Sequence, residues 1–212
     1  MRKALIMPLV CLAGIFLNIA LPRLSIYHAG IPLYLDTIFT ITVTLSCGLV
    51  WGIVCGAMTN IISHSISGIG WEPYLFTICN IATAVITWLF RRYFQTELMT
   101  DQLPVQKSNQ PGRAMDRIIV LIIFSFTLCI TMSVLGGLIA TFIMYLNSAY
   151  TEGDGISGIL STTMFGQNVP VLWREIISRI PVNIVDRLIS AFAGYGIAVL
   201  LHRLQKRNAN QV

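Results

Sequence analysis

The sequence predicts an all-α integral membrane protein, a bundle of six transmembrane helices with a short amphipathic interfacial helix before the last span. Of its 212 residues, 55% are hydrophobic and 11% are charged, whereas a soluble domain carries about 25% charged residues. Several apolar runs approach the roughly 20 residues that cross a bilayer. The polar stretches between them are too short to fold alone, so residues 1–212 form a single membrane domain.

The six predicted spans follow the apolar runs of the chain. The first run resembles a signal peptide, but it is long for one and no clear cleavage site follows, so we interpret it as a retained helix. The fifth run is longer than a bilayer requires, which indicates a helix that is tilted, kinked or extended beyond the membrane. The predicted spans are residues 4–21, 33–47, 49–66, 74–90, 117–146 and 183–201.

A short amphipathic helix is predicted between the last two spans, over the sequence PVLWREIISRIP. It is bounded by Pro170 and Pro181, and its isoleucines recur at helical spacing while charged residues occupy the other faces. A helix with one apolar and one charged face lies in the membrane interface rather than across it.

The distribution of basic residues predicts a protein of the plasma membrane with both termini in the cytoplasm. With six spans the termini share one side, and the positive-inside rule places the Lys- and Arg-rich side in the cytoplasm. This orientation leaves four basic residues outside (Arg23, Arg174, Arg179 and Arg187) and puts the other ten inside: Arg2, Lys3, Arg91, Arg92, Lys107, Arg113, Arg117, Arg203, Lys206 and Arg207.

Residues 35–60 are predicted to form a closely packed pair of short helices. The first half carries a polar face made by Asp36, Thr37, Thr40 and Thr44, which share one side of a helix. The second half places small or polar residues at every fourth position, and such stripes let membrane helices approach closely. The stripe consists of Gly48, Gly52, Gly56 and Asn60.

The sequence gives no positive sign of an enzyme, a metal or another cofactor. It contains no phosphate-binding P-loop and no HExxH zinc motif. The five cysteines lie in apolar runs and form no CxxC pair, so we interpret them as small packing residues. The net charge of +5 is explained by membrane topology and does not indicate a nucleic-acid partner.

Polar and aromatic residues concentrate on the predicted outer side. Ionisable groups are costly inside a membrane and are therefore candidates for function. Aromatic rings together with amide, carboxylate and guanidinium groups suit a small, partly polar molecule. Interfacial aromatics, structural ion pairs and interhelical hydrogen bonds are the alternative interpretations. The candidate substrate-binding residues are Trp71, Glu72, Tyr74, Asn80, Asn168, Trp173, Arg174, Glu175, Asn183, Asp186 and Arg187.

Three segments resemble the substrate-binding S components of energy-coupling factor (ECF) transporters, a class of vitamin importers. They are Leu35-Asp36-Thr37-Ile38, GLVWGIVCGAMTNII and the C-terminal PVNIVDRLISAFAGYGIAVLL. The resemblance implies a six-helix protein that binds a micronutrient near the outer surface and has no ATPase activity. The pocket regions would be 29–34, which adds Tyr34 to the candidate site residues, 70–80 and 168–187.

The same resemblance implies partners. S components dock on a transmembrane coupling protein, the T component, which carries two ATPase subunits. Many use a pair of small residues four positions apart on the first helix, but here Ala13 is followed by Leu17 and Gly14 by Asn18. The glycines 48, 52 and 56 are therefore additional candidates for the helix packing or docking surface.

The leading hypothesis is a membrane-embedded, high-affinity binding subunit for uptake of a vitamin-like nutrient. The alternative is a membrane sensor or assembly protein of the same fold without a transport role. An intramembrane enzyme is a third and weaker hypothesis, since no residue pattern supports it.

Overall fold

A computed structural model describes the chain at residues 2–25, 33–68, 70–94, 112–147, 160, 163 and 169–209. Within these ranges all regular secondary structure is helical. The elements are α1 (Arg2–Leu24), α2 (Ile38–Cys47), α3 (Leu49–Ser67), a 3-10 helix (Glu72–Phe76), α4 (Thr77–Tyr93), α5 (Gly112–Leu146) and α6 (Val171–Ala209).

Five of these helices are long and apolar enough to cross a membrane: α1, α3, α5, α6, and α4 together with the 3-10 helix before it. The chain is therefore an all-helical protein with the features of a multi-pass membrane protein. The helix α2 is also apolar, but it has only ten residues. At 1.5 Å per residue it is about 15 Å long, half of the thickness of the hydrocarbon core.

The helix α2 is shorter than the predicted span 33–47 because the chain before it is not helical. Leu35 has a positive φ of 41°, a conformation that a leucine rarely adopts and that no α-helix contains. The side chain of Asp186 accepts a hydrogen bond from the Leu35 backbone N–H at 2.8 Å. A contact with a distant helix therefore replaces the first turn that the sequence predicts.

The last two predicted elements form one continuous helix. The structure extends α6 from Val171 to Ala209 with Pro181 inside it, whereas the sequence predicts a break at this proline. Close packing on α5 accounts for the difference, because Gly137 of α5 lies directly against the Ile176 backbone. Tertiary packing here overrides the local tendency of proline to end a helix. The location of the first turns of α6 in the membrane interface stays a prediction.

The centre of the bundle is α2, which packs against α1, α3, α4 and α6. Seven of its residues are buried, and they lie on all sides of the helix. Thr42 donates a hydrogen bond to Ile38 O at 3.0 Å and is also 3.1 Å from Gly194 O of α6. On the predicted polar face, Thr44 donates to Thr40 O at 2.7 Å, whereas Thr40 accepts from Asn18 and Thr37 accepts from Arg187. Because these hydroxyls have partners, α2 can be buried.

Asn18 of α1 joins three helices through its amide group. It is fully buried, donates to Thr40 Oγ1 at 3.0 Å, and accepts from the Phe39 N–H at 2.9 Å. It also lies 3.4 Å from Thr59 Oγ1 of α3. The residue that interrupts the small-residue spacing of the first helix therefore serves as an internal polar contact.

The glycine stripe makes the close approaches that its spacing predicts. A Cβ on Gly52 would lie 2.0 Å from Thr44 Oγ1 of α2, and one on Gly56 would lie 2.9 Å from Asn80 O of α4. Gly48 has a φ of +96° and forms the turn between α2 and α3. On α1, Gly14 is buried against Val43 of α2, whereas Ala13 is exposed.

We expect Gly52→Ala to lower the free energy of unfolding by about 1–3 kcal/mol, the usual cost of overpacking. The new methyl group would overlap the side chain of Thr44. The matched control is Gly196→Ala, since an added Cβ there meets no atom within 4 Å. Thermal unfolding in detergent measures both variants, and equal midpoints would contradict the close packing at Gly52.

Candidate functional site

The segment before α2 and the helices α4 and α6 bring charged and polar groups together at one place in the bundle. Asp36 lies just before α2, Asn80 lies in the first turn of α4, and Asp186 and Arg187 lie in the first half of α6. We call these four residues the charge cluster. Asn80, Asp186 and Arg187 are buried, and the Asp36 side chain is 28% exposed.

Arg187 is the centre of the charge cluster. Its Nη2 lies 3.1 Å from Asp186 Oδ2 and 3.9 Å from Asp36 Oδ1. Its Nη1 donates a short hydrogen bond to Thr37 Oγ1. Because a guanidinium stays charged in proteins, its burial requires these anionic and polar partners.

Asn80 connects the charge cluster to the glycine stripe. Its Nδ2 lies 3.3 Å from Asp36 Oδ2 and 3.4 Å from Gly56 O, within donating distance of both. The contact to Gly56 is possible because a glycine at this position lets α4 approach the α3 backbone. Close helix packing and the position of a candidate site residue therefore depend on the same contact.

A second charged group lies two to three turns earlier on α6. Glu175 is almost fully buried and lies 3.7 Å from Arg174 and 3.9 Å from Arg179. The guanidinium of Arg179 also lies over the ring of Phe76, 5.6 Å from its centre, a cation–π geometry. Arg179 to Arg187 is eight residues, or about 12 Å along a helix.

Two further predicted residues, Glu72 and Tyr74, lie around the 3-10 helix. Glu72 accepts a hydrogen bond from Asn147 Nδ2 at 3.1 Å, which joins the end of α5 to this segment. The hydroxyl of Tyr74 is 3.0 Å from Ser65 Oγ, and its ring makes an edge contact with His64. These contacts connect the ends of α3 and α5 to the start of α4.

The remaining predicted residues do not all join the charge cluster. Tyr34, Trp71 and Trp173 are 42%, 53% and 57% exposed, so they are surface aromatics in this structure. Asn183 is buried and donates to Ser133 Oγ of α5 at 2.9 Å, a contact between helices. Asn168 lies outside the described residues.

Sequence reasoning did not identify two contributors to these groups as site residues. Thr37 is a direct partner of Arg187, and the sequence places it only on the polar face of α2. Arg179 is an ion-pair partner of Glu175, and its spacing of four from Glu175 on one helix could have indicated this pair.

The charge cluster offers carboxylate, amide and guanidinium groups to a charged or polar molecule. Among the described residues, no group of three His, Cys, Asp or Glu side chains is placed to hold a metal ion. A small apolar cavity lies at Phe90, Phe124 and Tyr195. Phe90 is ten residues after Asn80, so about 15 Å of helix separates this cavity from the charge cluster.

No protein family, no curated protein and no solved structure matches this chain.

We expect Arg187→Met to lower the free energy of unfolding by about 3–5 kcal/mol, because it leaves two carboxylates without their cation in a buried site. Adding Asp186→Asn should recover part of the loss, since one uncompensated charge is then removed. The midpoints of thermal unfolding in detergent compare the unmodified protein with the single and double variants.

Lys206→Met is the matched control for this series, because it removes a positive charge from the exposed end of the same helix. It should leave the unfolding midpoint unchanged. If Arg187→Met is as stable as Lys206→Met, the charge cluster does not hold α2 and α6 together.

Proposed function

We propose that this chain is a membrane-embedded binding subunit for uptake of a small vitamin-like nutrient, energised by separate ATPase subunits. The observation that carries the proposal is the convergence of four residues from α4, α6 and the segment before α2: Asp36, Asn80, Asp186 and Arg187. Ionisable groups at membrane depth face a bundle interior or a substrate path. The resemblance of the sequence to S components of ECF transporters supplies the class of ligand and partner.

In this proposal the chain crosses the plasma membrane six times, with α2 as the short second span and both termini in the cytoplasm. The direction of the helices supports a similar membrane depth for all four residues of the charge cluster. They lie near the start of α2, near the start of α4 and in the first half of α6. At the other ends of α2 and α4, Arg91 donates to Thr44 O at 3.3 Å. The charge cluster would then face the outside and Arg91 the cytoplasm.

The ligand would enter beside Asp36, the cluster member with the most accessible side chain. Tyr34 and Trp71 are exposed on the segments that lead into α2 and α4. Exposed rings beside polar groups suit capture of a partly polar molecule. The ligand would exchange contacts with Asp36 and Asn80, whereas Arg187, paired with Asp186, would fix the position of Asp36 from the interior of the bundle.

The partners proposed from the resemblance are a transmembrane coupling protein and two ATPase subunits. One face of α1 exposes Leu9, Leu12, Ala13 and Phe16, and lipid or the coupling protein would cover it. The buried side of α1, with Gly14 and Asn18, is already occupied by α2 and α3.

Purified protein should be stabilised against thermal unfolding by at least one member of a vitamin and metabolite panel. Alanine at Asn80 or Asp186 should abolish this stabilisation, because both side chains belong to the charge cluster. Alanine at the more distant Trp173 or Arg174 tests how far the site extends. Asp116→Ala is the control, an exposed carboxylate at the start of α5. Protein that responds to no compound would contradict the proposal.

Affinity purification from native membranes distinguishes transport from sensing. A transporter subunit should recover a coupling protein together with two ATPases in stoichiometric amounts. Recovery of a signalling protein instead would favour the alternative, an S-component-like sensor or assembly protein.

A further inference from the structure

The charge cluster contains more negative than positive charge. Asp36 and Asp186 contribute two carboxylates, and among the described residues the guanidinium that lies within 4 Å of both is that of Arg187. The preceding arginine of α6, Arg179, lies two turns away and pairs with Glu175. His64 also interacts electrostatically with Asp36. With both carboxylates ionised and His64 neutral, the described residues of the charge cluster carry one negative charge in excess.

The hydrogen bonding of the charge cluster is also incomplete. Three buried polar atoms in it lack a hydrogen-bond partner: Asp36 Oδ1, Asp186 Oδ2 and Arg187 Nε. Asp186 is fully buried and Arg187 almost fully. Asp186 Oδ2 is close enough to Arg187 for an ion pair, yet it accepts no hydrogen bond. Buried polar atoms without partners are rare in folded proteins, so the incomplete set marks the charge cluster as a place where a further polar partner would be stabilising.

Accessibility identifies the carboxylate that carries the excess charge. Asp186 is 0% exposed, is the nearer partner of Arg187 and is fixed by the Leu35 N–H. Asp36 lies farther from Arg187, and its side chain is 28% exposed. The pair Asp186–Arg187 is thus an internal neutral unit. Asp36 is the anionic group that a molecule from outside can reach.

The surroundings of Asp36 suit a positive charge. Tyr34 lies two residues earlier and is exposed, and Tyr74 contacts His64, the α3 neighbour of Asp36. Aromatic rings near a carboxylate can together recognise ammonium groups and other organic cations. In a site of low dielectric, an uncompensated carboxylate attracts a cation far more strongly than it would in water.

We infer that the nutrient carries a positive charge and that its cationic group binds against Asp36, at the mouth of the charge cluster. This inference rests on the proposed function of nutrient binding and specifies the substrate class of the same site. The cation supplies the charge that Arg187 alone does not balance. Asn80, which contacts Asp36 Oδ2, positions the carboxylate for this contact.

Thermal stabilisation by matched probes that differ only in charge tests the inference. One set is 1-methylnicotinamide, nicotinamide and nicotinate, which share a planar ring and carry one positive, no and one negative charge. A second set is choline and its neutral carbon analogue 3,3-dimethylbutan-1-ol. Run beside a broad panel of vitamins, these sets should show that the stabilising compounds are cations and that their neutral analogues bind at least tenfold more weakly.

Asp36→Asn should weaken binding of the stabilising cation by about 10- to 100-fold, the range expected for loss of one charged contact. Asp36→Glu should restore part of the affinity, and Asp116→Asn at the opposite end of the bundle should change nothing. The preference of the unmodified protein for cations is measured without any variant, so this measurement still tests the inference if Asp36→Asn does not fold.

The outcomes separate this inference from the proposed function. Stabilisation by neutral or anionic compounds in preference to cations, or unchanged cation affinity in Asp36→Asn, would overturn the inference and leave nutrient binding intact. The absence of stabilisation by any compound of the broad panel would overturn both.

Discussion

The buried guanidinium of Arg187 is the constraint on which the rest of the structure depends. A guanidinium cannot become neutral by losing its proton in a protein, so its burial among apolar helices requires anionic partners. Asp186 on the same helix and Asp36 before α2 provide them. The contact to Asp36 fixes the start of α2 against α6, and the Asp186 contact to the Leu35 N–H places the preceding segment outside the helix. The short length of α2 follows from these contacts.

Close packing at small residues brings the polar groups within reach of one another. Gly52 and Gly56 let α3 approach α2 and α4, and Gly194 lets α6 approach Ile38 O of α2. Larger side chains at these positions would separate the helices, and the hydrogen bonds that Asn18 and Asn80 make between helices would lengthen. In a bilayer, where apolar contact with lipid equals apolar contact with protein, packing and polar contacts determine which helices associate. The positions of the polar residues therefore depend on the close helix packing at these glycines.

The sequence predicts the parts of this structure that depend on local patterns. Apolar length predicts the long helices, four-residue spacing predicts the close approach at Gly52 and Gly56, and the cost of burying charge identifies Asp186 and Arg187 as unusual. It does not predict which carboxylate Arg187 meets, because Asp36 lies 151 residues earlier and only the folded chain brings the two together. It also predicts a break at Pro181 that packing against α5 removes. The pairing of groups across helices is a tertiary property, and local patterns do not contain it.

Native mass spectrometry of the detergent-solubilised protein tests the central claim, that the charge cluster binds a small molecule. The unmodified protein, purified from cells grown in rich medium, should carry an additional mass of a few hundred daltons in a one-to-one complex. Asp36→Asn, purified identically and shown to be folded, should carry this adduct at clearly lower occupancy. An adduct of equal occupancy in both proteins, or the bare polypeptide mass in the unmodified protein even after addition of a metabolite extract, would contradict the claim.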